Sequence, residues 1–199
     1  MRKIDMHKIW FTSDTHFNHL GIIKSCNRPF VNVDEMNEAL ISNWNSKVDV
    51  LDDVYHLGDV IWKGNRQQVE EIIYRLNGKI HIIKGNHDHS KQVKYLEGCK
   101  NVAWVKDYFE LKVDNTFDEI DDLMKTNGGS FSSNIGKLFI LFHYAMRTWN
   151  KSHYGSYHLY GHSHGNLEDT RLKNSMDVGV DSHNYFPIEL GGVIEWMKN

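Results

Sequence analysis

Five short segments of this 199-residue chain carry side chains able to do chemistry. They are Asp14-Thr15-His16, Gly58-Asp59, Gly85-Asn86-His87-Asp88, His143 and Gly161-His162-Ser163-His164. Carboxylates, amide oxygens and imidazoles are the ligands that hard and borderline divalent cations take. Asp14 and His16 alternate by two, so both can reach one ion as the chain leaves a strand. Asp59 follows a glycine that lets the backbone turn closely, and a carboxylate can bridge two ions about 3.5–4 Å apart. Asn86 offers a neutral amide oxygen to a second ion, and His143 ends another strand-like run. His162 and His164 flank Ser163 and can serve separate ions. One His-Asp pair, His87 and Asp88, is left over. The set is sufficient for a two-metal site that promotes attack on phosphorus.

The runs before these segments read as strands. Lys8–Ser13 is apolar and stops at Asp14. Asp53–Leu57 stops at Gly58, and Lys79–Ile83 stops just before Gly85. Between them, Met36, Leu40, Trp44 and Val48 mark one helix, with Asp34 as its cap, and Val69, Ile72, Ile73 and Leu76 mark another, broken by Asn77-Gly78. Strand–helix–strand–helix–strand predicts parallel crossovers, and such sheets gather ligands beyond the carboxyl ends of their strands. After about residue 102 the pattern changes to strands. Tyr108–Val113 and Lys137–Phe142 form a hairpin, followed by Tyr157–Tyr160, Ser175–Val180 and Gly192–Trp196. A second sheet packed on the first is the simplest outcome. The chain thus reads as one α/β domain over 1–199, with a flap or insertion at about 114–136.

Net charge is −3, so no global basic field draws the chain to nucleic acid or to an anionic membrane. Two cysteines, Cys26 and Cys99, lack metal-type spacing and do not make a disulfide framework. The first residues lack the apolar stretch of a secretory signal, and no window reaches membrane-spanning length; a cytoplasmic protein is the default. Histidine is the outlier, with 13 copies.

Taken in order, the five segments resemble the calcineurin-like metallophosphoesterase superfamily. Its pattern is Asp-x-His, Gly-Asp, Gly-Asn-His-Asp or -Glu, His, then Gly-His-x-His, and every block stands between Asp14 and His164. The resemblance implies a two-layered β-sandwich flanked by helices, around a dinuclear metal centre. It implies that Asp14, His16 and His164 hold the first ion, that Asp59 bridges, and that Asn86, His143 and His162 hold the second. His87 would lie over the substrate phosphate, oriented by Asp88. Hydroxide held by the two cations would attack in line. The ligand types suit Mn, Fe, Zn, Ni or Co without naming one.

Protein phosphatases of this family carry Asp-Arg-Gly after Gly-Asp and an Asn-His-Glu third block. This chain has neither. Its size and its Gly-His-Ser-His look more like the compact bacterial and phage phosphodiesterases, so a phosphodiesterase is expected. The alternatives are a phosphomonoesterase on small phosphorylated molecules and a catalytically silent scaffold. The substrate is then a small phosphoester, a nucleotide or an oligonucleotide end. Candidate substrate contacts are His19, Arg28, Arg147 and Trp149, together with Tyr144, which follows His143, and Trp62 and Lys63, which leave the Gly58-Asp59 turn. Asp181 and His183 read as structural, and His56 and His81 as satisfied histidines inside strands.

Overall fold

The computed structural model describes residues 7–113, 137–167 and 173–198. The flap expected at about 114–136 lies outside the described residues. Two sheets form the centre. The first holds β1 (Ile9–Thr12), β2 (Asp53–His56), β3 (Lys79–Ile83), β4 (Val102–Lys106) and β9 (Ile188–Glu189), in the order β4-β3-β2-β1-β9. Strands β1 to β4 are parallel, and β9 runs antiparallel to β1. The second holds β5 (Phe109–Val113), β6 (Lys137–Leu141), β7 (Tyr157–Tyr160) and β8 (Ser175–Asp177), in that order. Here β5–β6 is the expected antiparallel pair, while β6, β7 and β8 are parallel.

The first sheet is covered on both faces, which is why its strands are almost continuously apolar. Trp10, Val54, Ile80 and Ile82 face the helices α1 (Leu20–Ser25), α2 (Val33–Asn45), α3 (Arg66–Ile73) and α4 (Ser90–Glu97). There they meet Met36, Leu40, Trp44, Val69, Ile73 and Leu96. Phe11, Tyr55 and Ile83 point the other way, onto Leu111, Phe139, Leu141, Tyr157, Leu159 and Met176 of the second sheet. Phe11 stacks between Tyr55 and Phe139, with both centroids 5.8 Å away. The result is a mixed α/β fold of two sheets flanked by helices, as expected.

Two local expectations are corrected. Asn32, not Asp34, caps α2: its side chain accepts the Glu35 N–H at 2.9 Å, and Asp34 sits in the first turn. Gly192–Trp196 is helix, not strand, within α5 (Leu190–Lys198). Leu190, Val193, Ile194 and Met197 recur at the helical period and bury into the inter-sheet core. Gly191-Gly192 and the Val193-Ile194 pair disguise that period. Among the described residues, no helix is long and apolar enough to cross a membrane.

Asp52 pins the entry to the first sheet. Its buried carboxylate accepts the Lys8 N–H, the Trp10 indole N–H and the Asp49 N–H, each at 2.9 Å. Asp52→Ala leaves these donors without their acceptor, and a loss of about 3 kcal/mol follows. Equilibrium urea unfolding measures it; a change under 1 kcal/mol would refute the anchoring role.

Candidate metal centre

The five segments all follow strand ends, and they come from both sheets. β1 delivers Asp14 and His16, β2 delivers Asp59, and β3 delivers Asn86 and His87. β6 delivers His143, and β7 delivers His162 and His164. The loops are laced together by backbone bonds: Asp14 N–H to Gly58 O at 2.9 Å, His16 N–H to Asp59 O at 3.0 Å, and Gly161 N–H to His143 O at 2.9 Å. Close approach demands glycine at two points. A Cβ on Gly85 would fall on Asp59 Oδ1, and a Cβ on Gly161 would fall on Asp14 Oδ2 and Ser13 Oγ. Asp14, His16, Asp59, His162 and His164 all adopt left-handed backbone, with φ between 49° and 67°. Each such residue costs about 1–2 kcal/mol, and the rest of the fold holds them there.

Among the described residues three groups of donors converge; one of them, Cys26, His164 and Asp181, shares His164 with one of the two built from the ligand segments described above. Asp14, His16 and His164 each offer an atom within 4.8 Å of the others, and so do Asp59, His143 and His162. The family resemblance implied Asp14, His16 and His164 for one ion and Asn86, His143 and His162 for the other, with Asp59 bridging; here the Asp59 carboxylate gathers with His143 and His162. Its Oδ1 accepts the His87 N–H at 2.8 Å. Its Oδ2 lies 3.5 Å from His16 Nε2 and 3.5 Å from His143 Nε2, one from each group.

The free valences fit a cation. Asp14 Oδ2 accepts the His162 N–H at 2.9 Å, but Asp14 Oδ1 is buried with no hydrogen-bond partner, and so is His16 Nε2. Buried polar atoms without partners are rare and costly. A positive ion between an orphaned carboxylate oxygen and an orphaned imidazole nitrogen satisfies both. The second group repeats the theme. His143 Nδ1–H donates to Leu57 O at 2.7 Å, which leaves Nε2 facing Asn86 Oδ1 at 3.0 Å. Two lone pairs face each other there unless a proton or a metal lies between them.

Electrostatics divides the histidines. Burial drives His16 down to about 2, so its ring is neutral and its approach to Asp59 is no ion pair. Burial also opposes charge on His164, yet Asp181, Cys26 and Asp14 outweigh it and lift the ring to about 10. His143 is raised too: burial is overcome by the hydrogen bond and charge of Asp59, by Asp14 and by the Leu57 carbonyl. Burial pushes Asp14 up to about 6 against the pull of His143 and His164. Asp59 falls to about 2 despite burial, chiefly through His143.

Several expected roles are corrected. Asp88 does not orient His87 through its carboxylate. Both its oxygens are spent on backbone N–H groups, those of Asp59 at 2.7 Å, Gly85 at 2.8 Å and Val60 at 3.1 Å. It fastens the Asp59 loop to the Asn86 loop instead. Arg28 is not a substrate contact. Its buried guanidinium holds Asp181 with two bonds of 2.8 Å and donates to Asp14 O and Thr15 O. Trp149 does not offer an open face beside the cluster; its N–H donates to Ser156 O and its ring packs on His158. Arg147 is exposed, and among the described residues no contact joins it to the cluster. His19 lies flat on Trp62 and meets His16 Nδ1 at 3.3 Å. Tyr144 is at the site, its ring 4.7 Å from that of His162. His56 is satisfied: its Nδ1 accepts Gly58 N–H and its Nε2 bonds Thr15 Oγ1.

Asp181 has a part that a merely structural reading of the sequence leaves out. It accepts His164 Nδ1–H at 2.7 Å, which leaves Nε2 of that ring for a metal. No local signal marks it, because Arg28 stands 153 positions away in the chain.

Two outcomes follow. At pH 7 the metal-free His164 carries a proton on each nitrogen, since its folded pKa stands above 7. Loading a divalent cation then expels at least one proton per chain, and affinity rises with pH. Calorimetry in two buffers of different ionisation enthalpy reads that number, and zero protons released would contradict the assignment. Asp181→Ala lowers metal affinity about 10–100-fold, measured by titration against a chelator; unchanged affinity would show that His164 needs no such partner.

A family model described as calcineurin-like phosphoesterase matches residues 7–175. The uncharacterized protein MJ1445 of Methanocaldococcus jannaschii is 34% identical over 201 residues, covering 98% of this chain and 94% of that protein. The Gene 66 protein of Mycobacterium phage D29 is 34% identical over 85 residues, 42% of this chain and 41% of its own length. The crystal structure of AQ665, a protein of unknown function from Aquifex aeolicus, superposes with a TM-score of 0.67 at 22% identity, over 96% of this chain and all of that one. At that identity it speaks for the fold. Matched across most of its length and carrying two convergent donor groups, this chain belongs to the calcineurin-like phosphoesterase family of metal-dependent phosphoesterases.

Proposed function

We propose that this chain is a phosphodiesterase with a dinuclear centre. The carrying observation is Asp59 Oδ2, placed 3.5 Å from a nitrogen of each donor group. In this reading Asp14, His16 and His164 would hold one ion, Asn86, His143 and His162 would hold the other, and Asp59 would be shared between them. Bound divalent cations would lower the pKa of water toward neutrality and offset charge gathering on the phosphate oxygens.

The chain's own residues do the rest. The carboxylates of Asp14 and Asp59 fix the charge of the site, and Asp181 and Leu57 O fix the rings of His164 and His143. The oxygen of the attacking water bonds to phosphorus, and the ester P–O bond opposite it breaks. His87, half-buried at the mouth, hands a proton to the departing oxygen; the proton that the attacking water sheds passes to solvent, from which His87 regains one. A diester brings one negative charge, a monoester up to two. Arg28 is committed to Asp181, and among the described residues no other arginine touches the cluster. That supports a diester, either a small one or a nucleotide or oligonucleotide end.

The test is metal-stripped protein reloaded with Mn²⁺, Zn²⁺, Mg²⁺ or Ni²⁺ and offered bis-p-nitrophenyl phosphate beside p-nitrophenyl phosphate. Metal-dependent turnover favouring the diester is expected, with Asp59→Asn reducing it at least 100-fold. A preference for the monoester would make the chain a phosphomonoesterase. Two bound ions and no turnover of either ester would make it a scaffold.

A further inference from the structure

With Asp88 spent on backbone groups, something else has to hold the His87 ring. Among the described residues no carboxylate bonds it. Four aromatic rings instead close a cycle. His87 meets Trp62 at 5.0 Å and His16 at 5.4 Å, both nearly edge-on. Trp62 lies flat on His19, with centroids 3.9 Å apart and planes 5° apart, and His19 returns to His16 at 5.2 Å. The backbone locks the two segments: Phe17 N–H donates to Val60 O at 3.0 Å, and Trp62 N–H donates to Phe17 O at 2.8 Å. Trp62 is half-buried, with His19 stacked on it and the Lys63 ammonium 4.9 Å from its centroid. An indole so covered is a wall rather than an open platform for a nucleobase.

We propose that Trp62 is the positioning residue for His87, fixing by ring packing the imidazole that faces the departing oxygen, with His19 as its backing. The proposal rests on the role given to His87 above. Ring packing has a chemical merit that a carboxylate partner lacks. A carboxylate takes one imidazole N–H for itself, whereas an aromatic neighbour restrains the ring by contact and leaves both nitrogens for substrate and solvent. It also tolerates a transient positive charge on the imidazole.

The position of a proton donor matters only when the departing group needs the proton. p-Nitrophenolate leaves unaided; an alkoxide does not. Trp62→Ala therefore shifts the ratio of kcat on bis-p-nitrophenyl phosphate to kcat on a dinucleotide diester, because general acid catalysis contributes about 10²–10⁴-fold. A shift of at least tenfold against the dinucleotide is expected, mainly in kcat, with recovery in Trp62→Phe. An equal loss on both esters would overturn the proposal. A second readout needs neither metal nor turnover. Three-bond couplings in metal-free protein report one His87 χ1 rotamer in the parent and in Trp62→Phe, and averaging in Trp62→Ala. A single rotamer in Trp62→Ala would overturn the proposal even in a protein that hydrolyses nothing. Absence of any diester turnover by the parent would instead refute the phosphodiesterase reading and leave the rotamer result to decide.

Discussion

Two carboxylates, Asp14 and Asp59, lie almost wholly out of water where the two sheets meet, 0% and 2% exposed. An isolated charge in such a place is prohibitively costly, and two like charges are worse. Much of the surrounding architecture answers that cost. Imidazoles from four strand ends crowd around the pair, and backbone N–H groups of His162 and His87 point at one oxygen of each. What remains unanswered, Asp14 Oδ1 and His16 Nε2, is where positive charge belongs.

Holding these groups together demands backbone geometry that regular elements do not supply. Left-handed φ values at five donor residues turn successive side chains toward one point. Glycines at 85 and 161 let the loops close to a distance that no Cβ permits. The strain is balanced by fasteners set just behind the site. Asp88 gathers three amides from two loops, and Arg28 reaches from the turn after α1 to Asp181 beyond β8. Both fasteners are buried and bonded to several partners, the condition under which such polar groups hold a structure rather than weaken it.

Much of this was legible in the chain. Each donor segment closes an apolar run, so the strand ends that carry the site could be read directly. The helical periods of α2 and α3 are regular enough to place the crossovers. Three things were not legible, each for a physical reason. Leu190–Lys198 carries two glycines, poor helix formers, so its amphipathic period was masked; burial of Val193, Ile194 and Met197 overrides propensity. The Arg28–Asp181–His164 chain joins residues far apart in sequence, and no spacing rule reaches that far. Asp88 follows His87 directly, and adjacency invited a pairing. In the loop, the Asp88 side chain turns back to amides of Gly85, Asp59 and Val60 while His87 faces Trp62.

The donor groups straddle the sandwich in a way that bears on the whole molecule. One combines Asp14 and His16 of the first sheet with His164 of the second; the other combines Asp59 of the first with His143 and His162 of the second. An ion held by either group is thus a rivet between layers that otherwise adhere through apolar contact. Such a rivet binds the folded chain and not the unfolded one, so its occupancy adds about 4 kcal/mol at a thousandfold excess over its dissociation constant. On the proposed assignment a chelator would loosen the layer interface as well as empty the site, so metal supply would bear on how long the fold lasts.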